Sequence, residues 1–208
     1  MFGSVSSRFG EIFVLVFWRQ RLVFLATPKT ASTALESALA AQAAVVVTRP
    51  PHLKHTNVQN YRRHVAPFLG DAKSQDFVLT AVMREPLDWL GSWYRYRQRP
   101  EETPEKTTRD ISFDAFVQAY CQEDQPEYAK VGNQANFLAP PDHRKVDHIF
   151  RYDRMGDFVA FLERRLGSQI DLPRVNVSPS ASLRLGPATE ALLRHNRARD
   201  FALYADLA

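Results

Sequence analysis

The 208-residue chain reads as an α/β protein, a single three-layer α/β/α domain around a central parallel sheet. Three observations predict this. Short apolar runs with little alternation recur along the chain, and amphipathic helical stretches separate them, the pattern of strands buried on both faces. Two of these runs end abruptly in a cation-bearing junction that opens a helix. The composition, 45% hydrophobic and 12% aromatic, supports a packed core rather than a disordered chain.

In order, the predicted elements are strand 22–27, helix 33–44, strand 45–48, a Pro50-Pro51 loop over 49–56, and helix 57–69. Strand 77–82 and helix 87–97 follow, then helical segments near 112–122 and 127–138, strand 146–151, helix 155–166 and a last helix near 187–207. Residues 1–21 read as an N-terminal extension or edge element before a domain spanning 22–208. The run Ile12 to Trp18 within it is expected to form an edge strand or a packed arm. At seven residues it is too short to span a membrane, and its charge order does not suit a secretory signal.

The single cysteine, Cys121, precludes an internal disulfide and points to a reducing, cytoplasmic compartment. The six histidines and Cys121 show no metal-ligand spacing, so no metal is expected. The net charge of +4 is modest and dispersed, which suits a polyanionic small ligand better than nucleic acid. The densest basic cluster is Arg95, Arg97 and Arg99, interleaved with Trp93, Tyr94 and Tyr96. It reads either as a stacking surface for bases or sugars or as cations favoured at a helix end.

The first junction is Pro28-Lys29-Thr30-Ala31-Ser32-Thr33, ahead of an alanine-rich helix. A strand-to-helix loop aims free backbone N–H groups at one spot, and the helix dipole adds positive charge there. Lys29 with the hydroxyls of Thr30, Ser32 and Thr33 suits that spot to a phosphate-like anion. An ordinary N-cap by Ser32 or Thr33 is the plainer reading. A nucleoside-triphosphatase loop would carry two glycines that are absent here. No apolar run ends in an acid to hold magnesium, since Val146 to Phe150 leads into Arg151.

The second junction is Arg84-Glu85-Pro86, followed eight residues after the arginine by Ser92. Pro86 suits a first helical turn, and eight residues bring Ser92 back towards the face on which the helix began. An arginine with a hydroxyl partner is good chemistry for a terminal phosphate. A surface arginine paired with Glu85 or Asp88 is the alternative.

Together these residues resemble the sulfotransferases that use 3′-phosphoadenosine 5′-phosphosulfate (PAPS). The loop from Pro28 to Thr33 is most similar to that of the carbohydrate 2-O-sulfotransferase branch, while many other branches have glycine at the position of Ala31. Weaker likeness continues through Phe150 to Met155, Leu172 to Pro179 and Asp200 to Tyr204. The resemblance implies a P-loop-like sulfotransferase fold that transfers a sulfuryl group to a hydroxyl of a carbohydrate or small molecule. It implies a 5′-phosphosulfate site at Lys29, Thr30, Ala31, Ser32 and Thr33, and a 3′-phosphate site at Arg84 and Ser92. Lys29 would also be catalytic. The base is open between His55, with His52 as substitute, and Glu36, which equally reads as a capping-box glutamate. A phosphate-loop kinase and a non-catalytic anion-binding module remain alternatives. The charged segment 98–110 is expected to be a mobile loop over the acceptor site.

Overall fold

The computed structural model describes residues 14–47, 56–69, 77–141, 143–173 and 181–207. Its centre is a five-stranded sheet of β1 (Val14–Phe17), β2 (Leu22–Leu25), β3 (Val45–Val47), β4 (Val78–Met83) and β5 (His148–Arg151), in the order β3-β1-β2-β4-β5. β2 pairs with β4, and β4 with β5, in parallel; β1 is antiparallel to both β2 and β3. The sheet is therefore mixed, which corrects the expectation of a parallel one. The connection 18–21 between β1 and β2 is too short for a crossover and can only make a hairpin. Arg21 closes it at φ 51°, its N–H bonded to the Trp18 carbonyl at 3.2 Å.

β1 is also interior, where an edge strand or packed arm was expected. Val14, Leu15 and Val16 are wholly buried because each sheet face carries its own core. Val14, Val16, Val23, Leu25, Leu79, Ala81 and Met83 pack with Val58, Tyr61, Val65, Leu138 and Tyr204. Leu15, Phe17, Leu22, Phe24 and Val82 pack with Leu35, Leu39, Phe158 and Leu162 on the other face. Neighbouring strand residues thus supply opposite cores, which is why β1 and β2 are apolar without alternation.

The helices are α1 (Ser32–Leu39), α2 (Val58–Asn60), α3 (Pro86–Tyr96), α4 (Phe113–Tyr120), α5 (Gln134–Leu138), α6 (Met155–Leu166), α7 (Pro187–Asn196) and α8 (Ala198–Ala205). An eight-residue helix such as α1 is not stable alone. Burial of Leu35 and Leu39, worth about 1.5–3 kcal/mol each, holds it on the sheet. α2 begins behind an Asn57 cap and continues as a π-helical turn, Tyr61–Val65.

Two further helices differ from expectation, the first for a local reason and the second through a tertiary contact. The segment expected as helix 127–138 is helical only in α5, because Gly132 sits at φ 74° and Asn133 caps the helix by accepting from the Asn136 N–H at 2.8 Å. The last helix is split at Arg197 (φ −122°), whose guanidinium bonds the Tyr120 carbonyl at 2.8 Å and stacks on the Tyr120 ring. The break brings buried Asp200 to the start of α5, where Oδ1 accepts from the N–H groups of Gln134 (2.8 Å) and Ala135 (3.1 Å).

α3, α4 and α7 share a third core of Trp89, Leu90, Tyr94, Phe116, Val117 and Leu193. This core places α3 beside the carboxyl ends of the three parallel strands.

Candidate active site

Because β2, β4 and β5 are parallel, their carboxyl ends open together, the usual place for a ligand in such sheets. Lys29 follows β2, Arg84 follows β4 and Tyr152 follows β5. The Arg84 Nη1 donates to the Lys29 carbonyl at 3.2 Å, and its guanidinium lies 4.5 Å from the centre of the Tyr152 ring. The Trp89 indole N–H donates to the Pro28 carbonyl at 2.9 Å. Both carbonyls that lead into α1 are thus held by side chains of the second junction. The two motifs, more than fifty residues apart in sequence, share one wall.

The loop itself is tight. Lys29 (φ 66°) and Ala31 (φ 58°) are both left-handed, and the Thr30 hydroxyl, fully buried, donates to the Thr27 carbonyl at 2.9 Å. Ala31 is the N-cap of α1 and makes no side-chain cap, so neither Ser32 nor Thr33 caps the helix. The first amides of α1, those of Ser32 and Thr33, have no intrahelical acceptor and face the loop. Left-handed alanine costs about 1–2 kcal/mol, part of which a glycine would return as unfolded-chain entropy. Ala31→Gly is therefore expected to raise stability by about 0.5–1 kcal/mol, measured by urea denaturation; a loss of stability would contradict the strain.

The Lys29 side chain rests against the aromatic rings of α3. Its Nζ stands 3.1 Å from the Tyr96 ring centre and 4.8 Å from that of Trp93. Desolvation there, with Arg99 next in weight, pulls its pKa down to about 6. Arg84 is paired through Nε and Nη2 with the Asp88 carboxylate, the Nη2 bond being 3.0 Å. Gln134 clamps the Arg84 backbone, accepting from its N–H at 2.9 Å and donating to its carbonyl at 2.8 Å. Ser92 is buried on α3, one helical turn beyond Asp88 and so on the same face.

Sequence reasoning weighed Asp88 only as an alternative partner and missed Trp89, Gln134 and Tyr152. The four-residue steps from Arg84 through Asp88 to Ser92 carried the signal for Asp88; the others are tertiary contacts. Asp88 neutralises the arginine and would repel an anion there. Asp88→Asn is expected to tighten binding of adenosine 3′,5′-bisphosphate about three- to tenfold, by calorimetry; unchanged affinity would place the phosphate elsewhere.

Glu36 lies on the second turn of α1, since the helix begins at Ser32 behind Ala31. The capping-box reading is thereby corrected: the third helical position is Ala34. His52 and His55 fall outside the described residues. The segment 98–110, expected as a mobile loop, is a chain of hydrogen-bonded turns. Buried Thr108 pins it, N–H to the Arg97 carbonyl at 3.1 Å and hydroxyl to the Tyr94 carbonyl at 2.8 Å.

A cavity of about 150 Å³ opens beside the loop, bounded by Thr27, Pro28, Trp89, Gly132, Gln134 and Phe137 among others. Thr27 carries a buried hydroxyl with no partner among the described residues. Among those residues no three His, Cys, Asp or Glu side chains gather as a metal site. No helix among them is long and apolar enough to cross a membrane.

The two cation-bearing junctions thus meet at one end of the sheet. No curated protein and no solved structure matches the chain. The model of the sulfotransferase family does match, over residues 14–198, which takes in β1, the loop, Arg84 and α3 through α7. The chain belongs to the sulfotransferase family, transferases that move a sulfuryl group.

Proposed function

We propose that the chain transfers the sulfuryl group of PAPS to a hydroxyl of a carbohydrate or small-molecule acceptor. The observation that carries this reading is the bond from the Arg84 guanidinium to the Lys29 carbonyl, which brings the two cation-bearing junctions side by side. The donor set fits that group. It offers one lysine, an arginine whose fork now rests on Asp88 and the Lys29 carbonyl, the amides at the start of α1 that have no intrahelical acceptor, and the hydroxyls of Ser32 and Thr33.

When bound, PAPS supplies a sulfuryl group already activated by its phosphate leaving group. The chain's own residues do the rest. The α1 amides and Lys29 place positive charge where negative charge builds on the leaving oxygen, preorganised by the left-handed turns at Lys29 and Ala31. The hydroxyls of Ser32 and Thr33 orient the transferred group. Arg84, oriented by Gln134 and Tyr152, holds the 3′-phosphate with Ser92. A base takes the acceptor proton, with His55 or His52 and Glu36 as the candidates. Parallel assays of His55→Ala, His52→Ala and Glu36→Ala decide between them by which one loses turnover while keeping donor affinity.

Thermal shift with two ligands tests the donor. Adenosine 3′,5′-bisphosphate is expected to raise the melting temperature, and ATP with magnesium is not. The reverse preference would favour a kinase. Bisphosphate binding without turnover of labelled PAPS over an acceptor panel would favour a binding module.

A further inference from the structure

The far end of α3 holds cations that the donor site does not use. Trp93 and Tyr96 meet edge to face, with ring centres 5.8 Å apart. Lys29 occupies the Tyr96 ring from one direction, and the Arg99 guanidinium lies 4.9 Å from the same ring centre. The neighbouring arginines are committed. Arg97 is buried and donates to the carbonyls of Glu127 and Lys130. Arg95 lies 4.0 Å from Asp88. Arg109 donates to the carbonyls of Arg99 and Pro100, at 3.3 and 3.2 Å, and so holds the backbone of Arg99 in place.

Arg99 itself has no ion pair and no side-chain hydrogen bond among the described residues; the Tyr96 ring is its sole contact of that kind. Glu102 raises the Lys29 pKa by its charge but does not pair with Arg99. A half-buried guanidinium stacked on a ring keeps its planar fork of N–H donors free for a ligand, and that fork matches carboxylate, phosphate or sulfate oxygens.

Position says which ligand. Arg84 stands just before α3 and Arg99 just after it, and eleven helical residues span about 16 Å. Lys29 lies between the side chains that reach in from those two ends, its carbonyl 3.2 Å from the Arg84 Nη1 and its ammonium 3.1 Å from the Tyr96 ring centre. A donor lying from Arg84 to Lys29 leaves Arg99 on the outer side of Lys29, where the acceptor arrives. Resting on the donor reading above, we propose that Arg99, steadied by Tyr96, binds an anionic group of the acceptor and so makes this chain select acceptors bearing a carboxylate, sulfate or phosphate near the hydroxyl.

The test uses the full chain saturated with adenosine 3′,5′-bisphosphate and two probes that differ by one carboxylate, methyl β-glucuronide and methyl β-glucoside. Calorimetry is expected to show the glucuronide binding and the glucoside binding at least tenfold more weakly. Arg99→Gln should weaken the glucuronide by about ten- to a hundredfold, with bisphosphate affinity and melting temperature unchanged. Arg99→Lys should recover part of the loss. Equal binding of the two probes, binding of neither, or a glucuronide affinity indifferent to Arg99→Gln overturns the proposal while leaving the donor reading intact. If Arg99→Gln instead weakens PAPS relative to the bisphosphate and leaves the glucuronide alone, Arg99 serves the donor's sulfuryl end and the acceptor role is wrong. Failure of the bisphosphate itself to bind would overturn the donor reading, and this proposal with it.

Discussion

Replacing Lys29 with methionine is expected to lower kcat about 10²- to 10³-fold, the cost of removing one preorganised charge from a developing oxyanion, while the chain stays folded. Methionine keeps the length and packing against Tyr96 and Trp93, so the loss would report charge rather than shape. The same variant has a stability signature. The unfolded chain holds the Lys29 proton to its ordinary pKa of 10.5, the folded chain only below about 6. Between those values the unfolded state binds more protons, so this group makes stability rise with pH. Lys29→Met should flatten that rise, read as melting temperature against pH. It also follows that a bound phosphate draws a proton onto Lys29. Bisphosphate binding at pH 7–8 should take up protons in wild type and not in Lys29→Met, seen as a buffer-dependent calorimetric enthalpy. Retained turnover in the variant would remove Lys29 from the mechanism.

Arg84→Ala is expected to weaken bisphosphate binding by about 30-fold or more, because truncating one half of a charge-assisted pair costs about 2–5 kcal/mol. The fold should loosen as well, since Asp88 loses its partner and the Lys29 carbonyl its donor. The double variant Arg84→Ala with Asp88→Ala separates the effects. It removes the stranded carboxylate and should recover stability without recovering affinity. Unchanged bisphosphate affinity in both variants would show that the second junction does not hold a phosphate. Arg84→Lys should fall between wild type and alanine, keeping the charge but losing the fork that spans Asp88 and the loop.

Much of the site was legible because it rests on local rules. β2 ends at Leu25, two residues short of the expected bound and just ahead of Pro28, and Pro86 at the first helical turn starts a helix. The spacing from Arg84 to Ser92 is helical geometry, and helix 155–166 has the same bounds in the structure as in the reading. What could not be read were contacts between distant segments. Trp89 reaches Pro28, Gln134 clamps Arg84, and Asp200 caps α5 from across the chain. No periodicity encodes such pairs. The split at Arg197 depends in the same way on where Tyr120 happens to lie.

The amino-acid order alone determined that strands and helices alternate, that two junctions carry cations at strand ends, and that the likeness is to sulfotransferases. Those properties follow from hydrophobic patterning and from residues next to each other in the chain. Tertiary structure alone decided that the sheet is mixed, that β1 lies in its interior rather than at an edge, that Lys29 leans onto Tyr96, and that Asp88 sits against Arg84. Each of these depends on which surfaces meet once the chain has closed: the two cores competing for the apolar hairpin, and burial beside other cations setting the charge of a lysine whose sequence neighbours show nothing of it.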